Sequence, residues 1–359
     1  MVIDVVVPAR DEGALVGACV RSALVGSADL DVRVVVVANG CSDDTAERAR
    51  EAGAVVVETA GEGKAAALNV GLGHCREGAV VFLDADTVLT PGTLGAMAAA
   101  LDVPRPRLVG PRPLLVEPDG WLARGFAAVW TRLPGVADDV VGAGCYAVNA
   151  AGRDLVPAFP DVVADDAWAR TRFAERVVAG TFLFVLPRGR ELVDVVRRWR
   201  DGNAALPESP SASTARNLTF IARRPRLWPR LPAFLAVLVL GRRRRGWARA
   251  DGVRQPGRMA SSYTFLTSAT PADDAYDQLY AVASRFPRAG VYGAGPGELV
   301  RYGKPVGVAL VETALWERIG RPTDLGVLHT RSRAVGATPM TTPLARFTAP
   351  RPGLASAAT

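Results

Sequence analysis

The segment Val80–Thr87 reads VVFLDADT, four apolar residues followed by two carboxylates in a D-x-D spacing. The run Val80–Leu83 is typical of a strand that is buried on both faces of a sheet. In extended backbone, residues i and i+2 point the same way, so we expect Asp84 and Asp86 to face one metal ion. Hard carboxylate ligands suit Mg²⁺ or Mn²⁺. Taken alone, the same residues also fit a polar strand end that binds nothing.

Outward from this segment, short β-branched runs alternate with helix-like stretches over residues 1 to about 115. The spacing predicts strands at Val2–Val7, Val32–Ala38, Ala54–Glu58 and Ala79–Asp84, and helices at Ala14–Val25, Thr45–Ala52 and Ala65–His74. This alternation predicts a parallel sheet with helices on both faces, in which ligands bind beyond the carboxyl ends of the strands. The segments expected to meet at that edge are Pro8–Gly13, Asn39–Thr45, Gly61–Lys64 and Asp84–Thr87.

Composition narrows the class of protein. The 359 residues are 49% apolar and 22% charged, enough for a sizeable core in one large domain with an appendage, or in two domains. Four cysteines lie far apart without a C-x-x-C pair, and there are only two histidines, which argues against a disulfide scaffold, a zinc ribbon and a multi-histidine metal site. Since the first predicted strand begins at Val2, we expect no signal peptide and a cytoplasmic protein.

The positive charge belongs to one segment. Between Arg216 and Arg258 there are twelve arginines and one aspartate, a local balance of +11, so the rest of the chain sums to −4 of the total +7. Such a block favours contact with anions such as phospholipid head groups, a lipid phosphate or nucleic acid. No nucleic-acid-binding fold accompanies it, so we expect no nucleic-acid partner.

Inside this basic segment, Leu231–Leu240 is an uninterrupted apolar run of ten residues. A helix that crosses a bilayer needs about 20 apolar residues, so this run is too short to span one. An apolar run flanked by arginine and tryptophan fits an interfacial membrane segment. A buried core helix with solvated arginine ends fits equally well.

The second half of the chain is less regular. We predict strands at Val140–Val148 and Thr181–Leu186, helices at Asp165–Glu175 and Glu191–Arg200, and a Pro/Ser-rich linker at Ala204–Ala215. Beyond Met259 one helix is predicted at Val308–Ile319, and His329 is expected at a strand end without a special role. The predicted division is a domain over 1–205, a basic and apolar segment over 206–258 that contacts the membrane surface, and a C-terminal extension of unassigned fold over 259–359.

Four ordered motifs carry a family resemblance. They are VVVPARDE (residues 5–12), VANGCSDDT (37–45), GEGKAAALN (61–69) and FLDADT (82–87). Together they resemble the family 2 glycosyltransferases of the GT-A fold, a mostly parallel α/β sheet flanked by helices. The resemblance implies a nucleotide-diphosphate sugar as donor, UDP-sugars being slightly preferred, a divalent ion (Mn²⁺ or Mg²⁺) on Asp84 and Asp86, and inversion at the anomeric carbon.

The resemblance also implies roles for particular residues. The loop residues Pro8, Ala9, Arg10 and Glu12 would line the nucleoside pocket. Asn39 stands where the family often has an aspartate that reads the base. Lys64 follows two glycines at a helix start, where its ammonium and the backbone N–H groups meet phosphate; a surface lysine beside a turn is the alternative.

Two further motifs lie beyond residue 152. The segment Phe159–Asp166 resembles the family's stretch that ends in a Glu-Asp pair, which puts Asp165 at the glutamate position and Asp166 at the catalytic aspartate. An acidic first turn of a helix is the alternative. Arg198 and Trp199 match part of the family's Q-x-x-R-W motif, whose partial form favours transfer of a single sugar. Trp199 is interpreted either as a platform for the acceptor or as a helix-packing aromatic.

The sequence thus predicts a metal-dependent, inverting transferase of a single sugar. Its predicted acceptor is lipid-linked or otherwise amphiphilic, met at the inner face of the membrane. One alternative is an inactive relative that binds nucleotide sugars or acts as a scaffold. Another is a sugar-phosphate nucleotidyltransferase, which needs a glycine-rich phosphate loop where this chain has Pro8–Asp11.

Overall fold

The computed structural model describes residues 1–25, 30–61, 63–90, 92–115, 120–162, 164–187, 189–204, 214–242, 262–267, 269–271, 276, 279–280, 282–283, 290–296, 308–337, 340–344, 347–350 and 356–358. Its main sheet has eight strands in the order β3-β2-β1-β4-β7-β6-β8-β5. These strands are β1 (Val2–Ala9), β2 (Asp31–Asn39), β3 (Val55–Thr59), β4 (Ala79–Leu83), β5 (Val88–Leu89), β6 (Leu108–Leu115), β7 (Cys145–Val148) and β8 (Arg176–Phe184).

Helices connect and flank these strands. The α-helices of the described residues are α1 (Val16–Leu24), α2 (Thr45–Glu51), α3 (Lys64–Gly73), α4 (Thr93–Leu101), α5 (Gly120–Trp130), α6 (Pro134–Ala137), α7 (Asp165–Thr171), α8 (Gly189–Ala204), α9 (Thr214–Ala222), α10 (Leu231–Arg242), α11 (Thr313–Arg318) and α12 (Leu325–Ala334). Two short 3₁₀ helices cover Ala150–Leu155 and Pro225–Arg230.

The parallel half of the sheet is formed by the valine-rich strands β1 to β4. β1 pairs in parallel with β2 and with β4, and β2 pairs in parallel with β3. The register sets Ala9 beside Ala38 and Asn39 beside Thr59, so the carboxyl ends of these strands meet at one edge. The predicted convergence of the polar segments at this edge is therefore confirmed.

Both faces of this sheet are buried. Along β1, the side chains of Ile3, Val5 and Val7 pack in one hydrophobic cluster with α1 and α4, whereas Val6 packs in a second cluster with α3 and α7. This alternation follows from the two-residue period of a strand. It confirms the predicted layer of helices on each face.

The sheet continues beyond β4 in mixed directions. β7 runs antiparallel to β4 and sets Cys145 beside Leu83, so the loop that enters β7 lies at the same edge as the end of β4. The strand predicted at Val140–Val148 is confined to Cys145–Val148. The reason is local, because Gly142 and Gly144 have positive φ angles of 77° and 91°, which an extended strand does not accommodate.

The C-terminal residues form a second sheet. Its order is β13-β11-β12-β9-β15, with the strands β9 (Tyr263–Thr267), β11 (Val291–Pro296), β12 (Val308–Glu312), β13 (Met340–Leu344) and β15 (Ser356–Ala358). A separate pair is formed by β10 (Ala269–Pro271) and β14 (Phe347–Pro350). Side chains of β9, β11 and β12 pack in one cluster with Ala18 of α1, Val88 of β5 and Leu183 of β8.

Two C-terminal predictions were wrong. The segment Val308–Ile319 is not one helix, because Val308–Glu312 pairs antiparallel with both β9 and β11 and only Thr313–Arg318 is helical. Tertiary pairing of a buried, valine-containing run overrides its local helix propensity here. His329 lies inside α12 and not at a strand end. Of the predicted linker, residues 205–213 lie outside the described part of the chain, and the three-part division of the chain stays a prediction.

Gly71 tests the packing of α3 on the sheet. A methyl group added at Gly71 would overlap Val6 of β1, whereas one added at Gly73 of the same helix meets nothing within 4 Å. We expect Gly71→Ala to lower the free energy of unfolding by about 1–3 kcal/mol through overpacking. Gly73→Ala should be neutral or stabilise by up to about 1 kcal/mol, because alanine favours the helix. Urea unfolding of the two variants measures both values, and equal effects would contradict this packing.

Candidate active site

The D-x-D residues lie on a turn. The backbone N–H of Thr87 donates to the Asp84 carbonyl at 2.9 Å, and the N–H of Asp84 donates to the Gly144 carbonyl at 2.8 Å. The strand ends at Leu83, so the extended geometry predicted for Asp84 and Asp86 is wrong. Both side chains are partly exposed, and the Asp84 side chain is 37% exposed. Two hard carboxylates on one accessible turn are a donor set that fits Mg²⁺ or Mn²⁺.

Lys64 joins two distant parts of the chain at this turn. Its Nζ lies 2.8 Å from Asp84 Oδ1 and 2.8 Å from Asp165 Oδ1. Lys64 is the first residue of α3, and Gly63 before it adopts a positive φ of 96° that favours glycine. The local sequence therefore starts the helix at the position from which the lysine reaches both carboxylates.

The electrostatics of Lys64 follow from these two contacts. Desolvation lowers the pKa of the ammonium, but the charges and hydrogen bonds of Asp165 and Asp84 outweigh it and hold the pKa above its ordinary value. Lys64 is therefore a permanent cation near neutral pH. Its charge offsets part of the negative charge that Asp84, Asp86, Asp165 and Asp166 concentrate here.

Asp165 is buried and accepts hydrogen bonds on both oxygens. Its side chain is 6% exposed; Oδ1 faces Lys64, and Oδ2 accepts from the hydroxyl of Tyr146 at 3.1 Å. Tyr146 lies on β7 and is itself only 3% exposed. Burial raises the pKa of its hydroxyl well above the ordinary value, and the Asp165 carboxylate raises it further, so the hydroxyl stays a donor. Tyr146 was missed in the sequence, where it reads only as part of an apolar strand.

Asp166 follows in the first turn of α7 and has a different environment. Burial and the neighbouring Asp165 raise the pKa of Asp166 to about 6, against the opposing effects of Arg170 and Lys64. A Cβ atom at Gly142 would lie 2.8 Å from Asp166 Oδ2, so the glycine loop before β7 leaves room for this carboxylate. The structure thus brings the predicted pair Asp165 and Asp166 together with Lys64 and Asp84.

The Asn39 amide links the end of β2 to the glycine turn before α3. Its Nδ2 donates to the Gly63 carbonyl at 2.8 Å, and its Oδ1 accepts from Thr59 Oγ1 at 2.8 Å. Asn39 is buried, with 4% of its surface exposed. It therefore fixes the position from which Lys64 extends.

The loop after β1 is tied to the loop after β2. Pro8 and Ala9 end β1, and Arg10 is exposed. Glu12 is buried, and its backbone N–H donates to Thr45 Oγ1 at 2.8 Å. Asp11 has a positive φ of 50°, and its Oδ1 accepts from the Ser42 backbone N–H at 2.7 Å. These contacts hold the predicted nucleoside loop at the sheet edge.

A cluster of two aspartates and a cysteine on the loops after β1 and β2 was not predicted. Ligand atoms of Asp11, Cys41 and Asp43 lie within 4.8 Å of one another. The Asp11 carboxylate binds Ser42, and the Asp43 carboxylate accepts from the backbone N–H groups of Gly13 and Thr45. These carboxylates thus hold the two loops together.

Arg198 and Trp199 lie on α8. Trp199 stacks on Trp130 with ring centroids 5.3 Å apart and packs against Phe184 at 5.9 Å. Both partners belong to the hydrophobic cluster between α5, α8 and α10. Of the two roles considered for Trp199, helix packing accounts for these contacts.

Comparison with known proteins agrees with this geometry. Residues 4–152 match the family model described as glycosyl transferase family 2. These residues belong to glycosyltransferase family 2. The matched region contains Lys64, Asp84 and Tyr146 but ends before Asp165. The chain is thus a glycosyltransferase, and its mostly parallel sheet with flanking helices is GT-A-like, as the motifs implied.

Solved structures show a distant likeness to this glycosyltransferase. Glucosyl-3-phosphoglycerate synthase from Mycobacterium tuberculosis, crystallised with Mn²⁺, UDP-glucose and phosphoglyceric acid, is 22% identical, with 55% of this chain and 76% of the synthase covered and a TM-score of 0.39. A mannosyltransferase from Pyrobaculum calidifontis, crystallised with GDP-mannose and Mn²⁺, is 21% identical, with 70% and 77% covered and a TM-score of 0.44. These scores define neither donor nor acceptor for this chain. No curated protein sequence matches the chain.

The hydrogen bond from the Tyr146 hydroxyl to Asp165 can be tested by measuring the free energy of unfolding. We expect Tyr146→Phe to lower the free energy of unfolding by about 1–3 kcal/mol, because a buried carboxylate loses a donor. Urea unfolding at neutral pH measures this loss. In a double-mutant cycle, the same substitution made together with Asp165→Ala should have a much smaller effect. Additive effects of the two substitutions would contradict the hydrogen bond.

Proposed function

We propose that this glycosyltransferase is metal-dependent and inverting, and that it moves a single sugar from a nucleotide-diphosphate donor to an acceptor hydroxyl. The observation that supports it best is the Lys64 ammonium, which lies 2.8 Å from a carboxylate of the D-x-D turn and 2.8 Å from Asp165, beside the candidate base Asp166. This bridge supports a single site that holds both the donor and the base.

Asp84 and Asp86 would hold the metal ion, and Mg²⁺ and Mn²⁺ suit these carboxylates equally. When bound, such an ion neutralises charge on the diphosphate leaving group. Lys64 and the N-terminal turn of α3 add positive charge beside it, because a helix N-terminus carries unpaired N–H groups. Pro8, Ala9, Arg10, Glu12 and Asn39 would line the nucleoside pocket at the same sheet edge.

Asp166 would be the general base. The acceptor hydroxyl must lose a proton as it attacks the anomeric carbon, and a carboxylate with a pKa of about 6 is mostly ionised at neutral pH yet basic enough to take that proton. Asp165 is engaged by Lys64 and Tyr146 on its two oxygens, so it positions and tunes Asp166. Attack opposite to the leaving group in a single displacement inverts the configuration.

The acceptor would be lipid-linked or otherwise amphiphilic. The basic and apolar segment 206–258 follows the catalytic region directly and combines arginines with an apolar helix, α10. Arg198 would bind the acceptor or the diphosphate from α8, with Trp199 packed beside it. The partial form of their motif favours transfer of one sugar over chain extension.

Release of the nucleoside diphosphate from a donor panel tests this function without a known acceptor. The panel contains UDP-, GDP- and dTDP-sugars, including the UDP-glucose and GDP-mannose found in the similar structures. We expect Mn²⁺- or Mg²⁺-dependent release from one donor. It should be lost on addition of EDTA, which removes the ion, and in Asp86→Ala, which removes one of its ligands.

Glu51→Ala is the matched control, since Glu51 is an exposed acid on α2. It should leave release unchanged. Metal-independent release would contradict the metal role of Asp86. If the wild type releases no nucleoside diphosphate and calorimetry detects no donor binding, the transferase reaction is contradicted and the scaffold alternative is favoured.

The pH dependence tests Asp166. A base must be ionised to accept a proton, so kcat/KM with the donor identified in the panel should fall as the pH drops below about 6 and level off above it. Asp166→Asn should reduce kcat by about 10²–10⁴-fold. A wild-type profile that is flat through pH 6, or an active Asp166→Asn variant, would assign the base to another group.

A further inference from the structure

Helix α10 has two apolar faces. Its inner face is formed by Ala233, Phe234, Val237 and Gly241, all buried. Phe234 stacks on Phe126 of α5 with ring centroids 5.4 Å apart, and α10 also packs along α8. This face accounts for how the helix is held on the protein.

The opposite face is apolar as well, and its side chains are half-buried or exposed. It consists of the residues at helical spacing Pro232, Leu235, Ala236, Val239 and Leu240, which we call the outer face. Leu235, Val239 and Leu240 are 47%, 48% and 46% exposed. A water-facing helix surface normally carries polar residues, and a helix that is apolar all round is normally buried. The outer face therefore points to a further binding partner.

Large apolar side chains are also exposed on the elements around α10. Trp228, on the 3₁₀ helix Pro225–Arg230 that leads into α10, is 53% exposed. Leu218 on α9 is 58% exposed, and Trp121 on α5, the helix that packs against α10, is 68% exposed. Single exposed apolar residues are common, but several of them on elements that pack against one another indicate an interaction surface.

The charge beside the outer face identifies the chemistry of the partner. Residues 214–242 contain six arginines and no acidic residue. Arg223, Arg224, Arg226 and Arg230 are exposed immediately before α10, on both sides of Trp228. A partner that complements this surface must offer apolar groups and negative charge together. The surface of an anionic phospholipid bilayer offers both.

A second copy of the chain fits less well. A two-fold symmetric contact through the outer face would set the arginines of one copy near those of the other, because the same patch meets itself. Their like charges would repel, with no acid in residues 214–242 to compensate.

The length of α10 limits how the helix can contact a bilayer. Twelve residues extend about 18 Å, well short of the ~30 Å hydrocarbon core of a bilayer. Within the described part of the chain, no helix has the length and apolar character needed to cross a membrane. A bilayer contact through α10 would therefore place the helix along the interface.

We propose that the outer face of α10, with Trp228 and the preceding arginines, binds the surface of anionic phospholipid membranes. The apolar side chains enter the boundary between head groups and acyl chains, and the arginines contact the lipid phosphates. This binding does not depend on the glycosyl-transfer reaction, so it is measured without donor or acceptor and stands or fails separately from the proposed function.

Vesicle sedimentation tests the proposal with the full chain. We expect binding to vesicles of phosphatidylcholine mixed with phosphatidylglycerol, weak binding to phosphatidylcholine alone, and weaker binding as salt rises. The double variant Leu235→Gln/Val239→Gln should lose at least about tenfold in affinity, since the apolar contact is removed. Arg223→Gln and Arg226→Gln should each lose roughly fivefold, which corresponds to about 1 kcal/mol per arginine near an anionic surface.

Val335→Gln is the matched control, because Val335 is 45% exposed outside this region. It should bind like the wild type, and circular dichroism should show that all variants keep their helix content. Wild-type protein that fails to bind the anionic vesicles overturns the proposal. Binding that persists in the double variant overturns it too, since lipid contact would then lie elsewhere, for example in the arginine run 242–245. Self-association in sedimentation velocity that is lost in the double variant would assign the outer face to a second copy.

Discussion

The Lys64 bridge is the interaction on which the proposed active site depends. Three separate parts of the chain, the start of α3, the turn after β4 and the start of α7, each supply one charged group to it. Without the ammonium, Asp84 and Asp165 would face each other as like charges at a partly buried site, which disfavours their approach. The bridge also joins the family-matched residues 4–152 to Asp165 and Asp166, which lie beyond them.

Two adjacent carboxylates acquire different properties from this arrangement. Asp165 is buried but receives donors on both oxygens, from Lys64 and from Tyr146. Burial and the charge of Asp165 raise the pKa of Asp166 to about 6. In the proposed reaction, these different environments would separate a positioning group, Asp165, from the proton acceptor, Asp166. Tyr146 contributes to this difference, since its hydroxyl stabilises the Asp165 charge that acts on Asp166.

The helices α5, α8 and α10 pack together in the layer that carries the outer face. Trp199 of α8 packs against Trp130 and Phe184, and Phe126 of α5 stacks on Phe234 of α10. These aromatic contacts use the inner face of α10 and leave its outer face for another surface. A lipid-linked acceptor held at a membrane would then be presented by the same helical layer that carries Arg198.

Much of the fold and of the position of the candidate site was predictable from the sequence. Valine-rich runs separated by helical stretches determine the strands β1 to β4, because the two-residue and helical periods are local properties. The same runs determine that the polar segments meet at one edge, and the charge and apolar pattern of 216–258 determines the character of that segment. The turn at Asp84–Thr87, the strand at Val308–Glu312 and the partnership of Tyr146 with Asp165 were decided by tertiary structure. The reason is physical: the hydrogen bond from Asp84 to Gly144, the pairing of β12 with β9 and β11, and a hydroxyl buried beside a carboxylate all join residues distant in sequence, and no local period encodes them.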